Sequence, residues 1–245
     1  MKLRFATAAV LFAIVMIALP ASAGKKNKAK PAGEKLVDEG SFGVYVNGGR
    51  VATEKFAIKQ TSDSSLSSSE LRLGDGKVAQ TSELRMLTNG NLIRYEWKSL
   101  AEKVSTVLEP QGDFLIERYT GTDGKVGEQP FLMPVSTPVL DDFFFSHRQL
   151  LLWRYLGANC QMERDKGGCP LTKAQFGTVI PRQHISSMVS VEYVGLEKVR
   201  MPGGEQQLSH FRFTTEGPAW SLWIDGSFKV QRILIAETNT EVLRE

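Results

Sequence analysis

The side chain with the clearest potential for acid–base chemistry is His147. It lies in the stretch DDFFFSHRQLLLWRY, residues 141–155, between the carboxylates of Asp141 and Asp142 and the guanidinium of Arg148. On a helix, spacings of five and six residues place an aspartate and a histidine on different faces, so neither carboxylate would orient the imidazole locally. We therefore predict that His147 packs or forms a hydrogen bond inside the protein, and we predict no catalytic residue.

Metal and cofactor chemistry have no motif in this sequence. The three histidines, His147, His184 and His210, come from a predicted helix, a loop and a strand, without HxH or HExxH spacing. The sequence also contains no GxSxG nucleophile turn, no phosphate-binding glycine loop and no GxGxxG after a strand. It therefore predicts no metal site, no cofactor and no enzymatic activity.

Cys160 and Cys169 are the only cysteines, and they flank the polar stretch QMERDKGG. No further cysteine completes a metal cluster, and in an exported protein such a pair more often closes a disulfide than binds zinc. Gly167 and Gly168 make a turn between the two cysteines easy. We predict a disulfide that acts as a local crosslink.

Residues 1–23 have the layout of a secretory signal peptide. A short basic start with Lys2 and Arg4 precedes an apolar run over residues 5–19, and small residues precede a predicted cut between Ala23 and Gly24. The apolar run is shorter than the roughly 20 residues of a membrane-spanning helix, and no later uncharged stretch approaches that length. We predict a soluble protein, periplasmic or secreted, that does not span a membrane.

The mature chain would be almost neutral. The full sequence carries a net charge of +3, and loss of residues 1–23, which contain Lys2, Arg4 and no acid, lowers it to +1. Such a balance argues against a nucleic-acid partner. Residues 24–39 are predicted to form a basic, flexible N-terminal arm, which is either solvated and disordered or in peripheral contact with anionic lipid head groups. Its lysines are Lys25, Lys26, Lys28, Lys30 and Lys35.

From Gly40 onward, apolar and polar residues alternate between closely spaced turn residues, which is typical of antiparallel strands. The serine-rich residues 61–69 are predicted to be a loop or a sheet edge. The pattern favours a mainly β, single domain over residues 40–245, with about twelve strands connected as a meander. The turns are predicted at residues 47–49, 75–76, 123–124, 202–204 and 225–226, where glycine and asparagine tolerate positive φ.

Residues 141–155 interrupt the strands and are predicted to form one central apolar helix, with Asp141 or Asp142 as its N-terminal cap. The helix is apolar around most of its circumference, so it must be covered on more than one side. A sheet of this size would therefore curve strongly, either wrapping around the helix or leaving a cavity beside it.

Three stretches carry a resemblance to known proteins: FGVYVNGGRVATEKFAI near the start, LDDFFFSHRQLLLWRY in the middle and WSLWIDGSFKVQRI near the end. In their layout the chain resembles an uncharacterised family of bacterial exported proteins whose fold is similar to periplasmic half-barrel carriers of lipoproteins and glycolipids. The resemblance implies a strongly curved antiparallel sheet around an apolar lumen, with helical structure as a plug.

Two functions follow from these observations. The first is an exported protein that binds or carries an apolar, lipid-like ligand in a half-barrel cavity, with the helix as a movable lid. The second is a structural or scaffolding envelope protein that binds a protein partner, and in which the aromatic side chains only fill the core. The candidate ligand-lining residues are Phe143, Phe144, Leu150, Leu151, Trp153, Trp220 and Leu222.

Overall fold

The structure is a computed structural model that describes residues 33–160, 169–171 and 173–245. The signal peptide predicted for residues 1–23 and most of the arm predicted for residues 24–39 lie outside the described residues. Within those three ranges, no helix is long and apolar enough to cross a membrane.

The described residues form fourteen β-strands and one α-helix, α1 (Ser146–Asn159). The strands before the helix are β1 (Lys35–Val46), β2 (Gly49–Gln60), β3 (Ser64–Leu73), β4 (Val78–Leu87), β5 (Leu92–Ser99), β6 (Val104–Gln111), β7 (Phe114–Thr120) and β8 (Val126–Phe131). The strands after it are β9 (Ala174–Ile180), β10 (Ile185–Met201), β11 (Gly204–Thr214), β12 (Trp220–Ile224), β13 (Val230–Ile235) and β14 (Thr240–Arg244). Two short 3-10 helices cover Pro181–Gln183 and Ala236–Thr238.

All fourteen strands belong to one sheet, in the order β8-β7-β6-β5-β4-β3-β2-β1-β14-β13-β12-β11-β10-β9. Every neighbouring pair is antiparallel, so the predicted mainly β meander is confirmed. The chain makes one meander from β1 outward to β8 and a second from β9 back to β14, and the pairing of β1 with β14 joins them in the middle of the sheet.

The prediction that the serine-rich residues 61–69 form a loop or a sheet edge is wrong. Most of this stretch belongs to β3, which pairs with β2 on one side and with β4 on the other. Ser67 and Ser69 alternate with exposed or half-buried neighbours and are themselves buried. The hydroxyl of Ser69 faces the start of the helix and lies 3.0 Å from that of Ser146.

The predicted hairpin turns are confirmed. Asn47 and Gly48 connect β1 to β2 with φ angles of 51° and 77°, the left-handed region that these two residue types tolerate best. Gly76 and Gly124 occupy the same region, with φ angles of 78° and 77°. In the turn after β12 the positive φ falls on Phe228 instead, at 62°.

The sheet is strongly curved, and the helix lies inside the curve. The hydroxyl of Ser146 in the helix is 3.0 Å from that of Ser69 in β3, and the ring of Tyr155 packs edge-on against Phe211 in β11, with the ring centroids 5.9 Å apart. The helix therefore contacts both meanders, which confirms that it is covered on more than one side. The sheet is an open half-barrel rather than a closed barrel, because β8 and β9 form the two ends of its strand order.

The two sheet edges approach each other on one side of the molecule. Residues 132–145 leave β8 and cross to the other edge, where Val139 forms a parallel bridge with Val179 in β9. Beyond β9, the imidazole Nδ1 of His184 lies 3.0 Å from the carboxylate of Glu117 in β7. A side-chain contact therefore links the two edges of the sheet, although the edge strands β8 and β9 do not pair with each other.

The first strand begins at Lys35, so residues 35–39 are strand rather than flexible arm. Leu36 pairs with Lys59 in β2, and Asp38 is buried. The sequence does not reveal that this segment is paired and partly buried, because the lysine-rich residues before it are typical of a solvated arm.

Candidate functional site

The first turn of the helix is polar and buried, although the sequence predicts an apolar helix. Ser146, His147, Arg148 and Gln149 are all almost inaccessible to solvent. Buried polar groups are stable when they are paired, and each of these four side chains has at least one partner outside the helix.

A buried glutamate from β2 caps the helix. The carboxylate of Glu54 accepts hydrogen bonds from the backbone N–H of Phe145 at 2.6 Å, from that of Ser146 at 3.4 Å and from the hydroxyl of Ser69 at 2.7 Å. The prediction that Asp141 or Asp142 caps the helix is therefore wrong, because the helix begins only at Ser146. Burial raises the pKa of Glu54, against the lowering effect of these hydrogen bonds.

Asp141 belongs to a second buried group of polar side chains. Its carboxylate accepts a hydrogen bond from the hydroxyl of Tyr95 at 2.7 Å and from the backbone N–H of Phe143 at 3.1 Å, and Arg182 lies 3.5 Å away. Burial raises the pKa of Asp141, and burial together with the nearby Asp141 raises the pKa of Tyr95. The tyrosine therefore stays protonated and serves as a hydrogen-bond donor.

His147 is neutral and has no carboxylate partner among the described residues. Its Nδ1 accepts a hydrogen bond from the backbone N–H of Asp141 at 3.3 Å, so the ring proton lies on Nε2, which is 3.3 Å from the hydroxyl of Ser82. Burial, and secondarily the charge of Arg148, lowers the pKa of His147 to about 3. This geometry agrees with the predicted hydrogen-bonding role.

Gln149 connects the helix to the middle of the sheet. Its amide nitrogen donates to the carboxylate of Asp38 at 2.7 Å, and its amide oxygen accepts from the backbone N–H of Val230 at 2.9 Å. Asp38 also binds Arg244 at 2.7 Å and Lys229 at 2.8 Å. Burial opposes ionisation of Asp38, but the hydrogen bonds from these partners outweigh it and lower its pKa.

Arg148 is a buried cation whose neighbours leave part of its guanidinium unpaired. Its Nη1 donates to the backbone oxygens of Asp141 and, at 3.4 Å, of Phe144. The centre of the guanidinium lies 3.8 Å from the ring centroid of Trp220, a cation–π contact. Burial lowers the pKa of Arg148 to about 10, although the nearby acids, Asp142 first among them, oppose this shift.

Arg148 lines a cleft of about 410 Å³ between the start of the helix and the second meander. We call this space the Arg148 cleft. One wall is apolar and is formed by Ile180, Ile185, Val189, Phe213, Trp220 and Ile235. Two carboxylates also line the cleft, Asp142 beside Arg148 and the exposed Glu216. The cleft therefore combines an apolar wall with a single buried positive charge.

The structure does not gather the seven predicted ligand-lining residues in one place. Leu150, Leu151 and Trp153 line a separate cavity of about 520 Å³ beside the hairpin turn that connects β4 to β5, which we call the Trp153 cavity. Trp220 lines the Arg148 cleft. Phe144 and Leu222 are fully buried in the core, whereas Phe143 is 47% exposed and packs under Arg182.

The remaining histidines and the cysteines lie apart from this site. His184 contacts Glu117, and His210 lies 2.8 Å from Glu197 on the opposite face of the sheet. In the part of the chain that the structure describes, no three residues of the types His, Cys, Asp or Glu are grouped as metal ligands. Cys160 and Cys169 form the predicted disulfide, with their Cα atoms 4.2 Å apart.

Sequence reasoning missed Glu54, Ser69, Tyr95 and Arg148. A signal for Glu54 was present, since Ala52, Glu54, Phe56 and Ile58 alternate on one face of β2 and a lone charge on an apolar face needs a buried partner. Arg148 carried no comparable signal, because charged residues are common on helices.

The fold and the site together define a class of protein: an open, curved antiparallel sheet around one helix, with a cleft beside a buried arginine. No protein-family model matches the chain, and no curated protein matches it either. Among solved structures, the chain is similar to a protein from Bacteroides fragilis described as exported and of YmcC-like fold, at 9% identity and a TM-score of 0.35, over 87% of this chain and 94% of that one.

Proposed function

We propose that the protein is exported and that it binds an apolar, lipid-like ligand in the Arg148 cleft. The observation that carries the proposal is the cleft itself. Its volume of about 410 Å³ falls within the range of roughly 300 to 1,000 Å³ that is usual for small-molecule sites, and six apolar side chains form one wall. Burial of an acyl chain against this wall would contribute about 0.8 kcal/mol for each methylene group.

Export is supported by two features of the chain. Residues 1–23 have the order of a signal peptide, with a basic start, an apolar run and small residues before the predicted cut. The disulfide between Cys160 and Cys169 is of a kind that persists in oxidising compartments such as the periplasm or the extracellular medium. A lysine-rich arm in peripheral contact with a membrane is compatible with this localisation and stays a prediction.

We further propose that the ligand belongs to the class handled by periplasmic half-barrel carriers, the acyl chains of lipoproteins or glycolipids. In this proposal the helix is a fixed inner wall rather than a movable lid. Glu54 holds its first turn and Asp38 holds Gln149, so withdrawal of the helix would leave buried charges without partners. Access to the cleft would instead involve the short segments between strands that line it, which include Gln183, Gly217 and Thr238.

Native mass spectrometry of the protein purified from an exported fraction, together with an organic extract of the same sample, tests this proposal. We expect a bound mass that extracts as lipid. Ile185→Trp should reduce the bound fraction, because Ile185 is 43% exposed at the cleft and a larger side chain there fills its volume. The matched control is Met188→Trp, also on β10 and 50% exposed, but not part of the cleft.

A protein that carries no lipid and takes up no added phospholipid or fatty acid would contradict the proposal. Equal lipid loading of the Ile185→Trp and Met188→Trp variants would place any ligand outside the Arg148 cleft.

The alternative, a scaffolding envelope protein that receives a partner strand, has less support. A partner strand needs a free sheet edge, and the edge strand β8 contains Pro130, which lacks the backbone donor that strand addition requires. The other edge strand, β9, is already bridged by Val139 at Val179. Binding of a protein partner therefore stays a prediction, and neither sheet edge in the described residues favours it.

A further inference from the structure

Arg148 has hydrogen-bonding capacity that the described residues do not use. Its side chain is only 3% exposed, yet its Nε and Nη2 donate no hydrogen bond to any residue in the described ranges. A guanidinium has five N–H donors, and Nε and Nη2 of Arg148 are not among the fully buried atoms without a partner, so both retain some access to solvent. The same side chain lines the Arg148 cleft, so the unused donors can be reached from the cleft.

The nearby carboxylates do not complete the pairing. Glu54 is occupied by two backbone N–H groups and a serine hydroxyl, and Asp141 is occupied by Tyr95 and Arg182. The nearest carboxylate oxygen, from Asp142, lies 3.8 Å from Nη2, beyond hydrogen-bond distance, and Asp142 already accepts a hydrogen bond from Gln183. The neutral His147 adds no negative charge.

We propose that the ligand of the Arg148 cleft is an anionic amphiphile whose carboxylate or phosphate group pairs with Arg148. This inference rests on the proposed function and deepens it by naming the class of ligand. Trp220 connects the two parts of the site, because its ring stacks on the guanidinium and also belongs to the apolar wall. An anionic head group bound at Arg148 would therefore lead directly into a chain packed along Ile180 and Ile185, the partly exposed aliphatic residues of this wall.

Guanidinium groups bind carboxylate and phosphate through the same paired N–H geometry. The proposal therefore covers a head group of either type. Calorimetric titration with probes of one chain length separates the sources of that chemistry. The probes are dodecanoate, dodecyl phosphate, dodecanol and dodecyltrimethylammonium, each below its micelle concentration, and inorganic phosphate serves as the probe without a chain.

We expect dodecanoate or dodecyl phosphate to bind at least about tenfold more tightly than dodecanol, since a hydrogen bond to a charged group contributes this much. Dodecyltrimethylammonium should bind most weakly of the probes that have a chain. Inorganic phosphate should not bind measurably, because it makes no contact with the apolar wall. These comparisons use the wild-type protein, so they do not depend on whether a variant folds.

Two matched variants test whether Arg148 supplies the positive charge that favours the anionic probes. Arg148→Met should remove the preference for the anionic probe while retaining binding of dodecanol. Arg154→Met changes the same residue type on the same helix, but at a position that lines the Trp153 cavity, and it should preserve the preference.

The outcomes distinguish failure of the anionic head group from failure of the lipid site itself. Equal binding of dodecanoate, dodecyl phosphate and dodecanol would overturn the anionic head group and leave the proposed lipid site in place. A preference lost in Arg154→Met and kept in Arg148→Met would also overturn it. Failure of every chain-bearing probe to bind, or binding of inorganic phosphate as tight as that of dodecyl phosphate, would overturn the proposed function and this inference with it.

Discussion

Removal of Glu54 should destabilise the fold, because this carboxylate caps the helix from inside the sheet. Glu54→Ala leaves the backbone N–H groups of Phe145 and Ser146 without an acceptor in the core. Loss of an N-cap costs about 1 kcal/mol, and each buried donor left unpaired costs about 1 to 3 kcal/mol. Because Ser69 keeps Ser146 as a neighbour, we expect a total loss of about 3 kcal/mol.

The assay is urea and thermal unfolding followed by circular dichroism, with Glu83→Ala as the matched control. Glu83 lies on β4, which is separated from β2 by β3, and is exposed, so its removal should change stability by less than about 0.5 kcal/mol. A loss of about 3 kcal/mol corresponds to a fall in melting temperature of roughly 6 to 12 °C for a domain of this size. A Glu54→Ala variant as stable as Glu83→Ala would refute the assigned capping role.

The pH dependence of the free energy of unfolding provides a second test of the role of Glu54. Burial raises its pKa above the ordinary value of about 4.3, so the folded state holds the proton more tightly than the unfolded state. The contribution of this group is therefore fully present below its ordinary pKa and is lost as pH rises through the raised pKa. Glu54→Gln, which cannot titrate, should lack this loss, and identical pH profiles for the two proteins would contradict the assignment.

Three further predictions concern other parts of the molecule. Asp38→Asn should cost about 3 kcal/mol in urea unfolding, because it removes the buried anion that pairs with Arg244, whose side chain is 10% exposed, whereas Glu39→Gln on the exposed side of β1 should have little effect. Replacement of both Cys160 and Cys169 by serine should lower stability by about 2 to 3 kcal/mol, and an unchanged melting temperature would show that the disulfide contributes nothing. Asp142→Asn should tighten dodecanoate binding by removing the acid nearest the buried guanidinium, and weaker binding would argue against an anionic ligand.

The sequence predicts the parts of the fold that depend on neighbouring residues. The turn at Asn47 and Gly48 needs only local backbone preferences, and β1 and β2 need only their alternation, so both are readable without tertiary information. The disulfide follows equally directly from the count and spacing of the cysteines. That one helix is covered on more than one side by a curved sheet follows from the apolar residues of 141–155, whereas its position inside the curve does not.

The parts that could not be predicted depend on residues far apart in the chain. Residues 61–69 look like a loop because serine has weak strand preference, but Ser69 is held in β3 by Glu54 and by Ser146, which lies 77 positions away. The start of the helix was placed too early for the same reason, since its cap comes from another strand rather than from Asp141. Nor does periodicity reveal that Leu151 and Trp220 line two different spaces.

The most direct test of the proposed ligand site is quenching of tryptophan fluorescence by dodecanoate brominated next to its carboxylate, the end that lies beside Trp220 when the head group pairs with Arg148. The protein contains four tryptophans, of which Trp220 lines the Arg148 cleft and Trp153 lines the other cavity. A chain bound in the Arg148 cleft should quench the wild type and Trp153→Phe, and should lose most of this quenching in Trp220→Phe. Quenching that survives in Trp220→Phe and disappears in Trp153→Phe, or no quenching of the wild type, would contradict the proposed site.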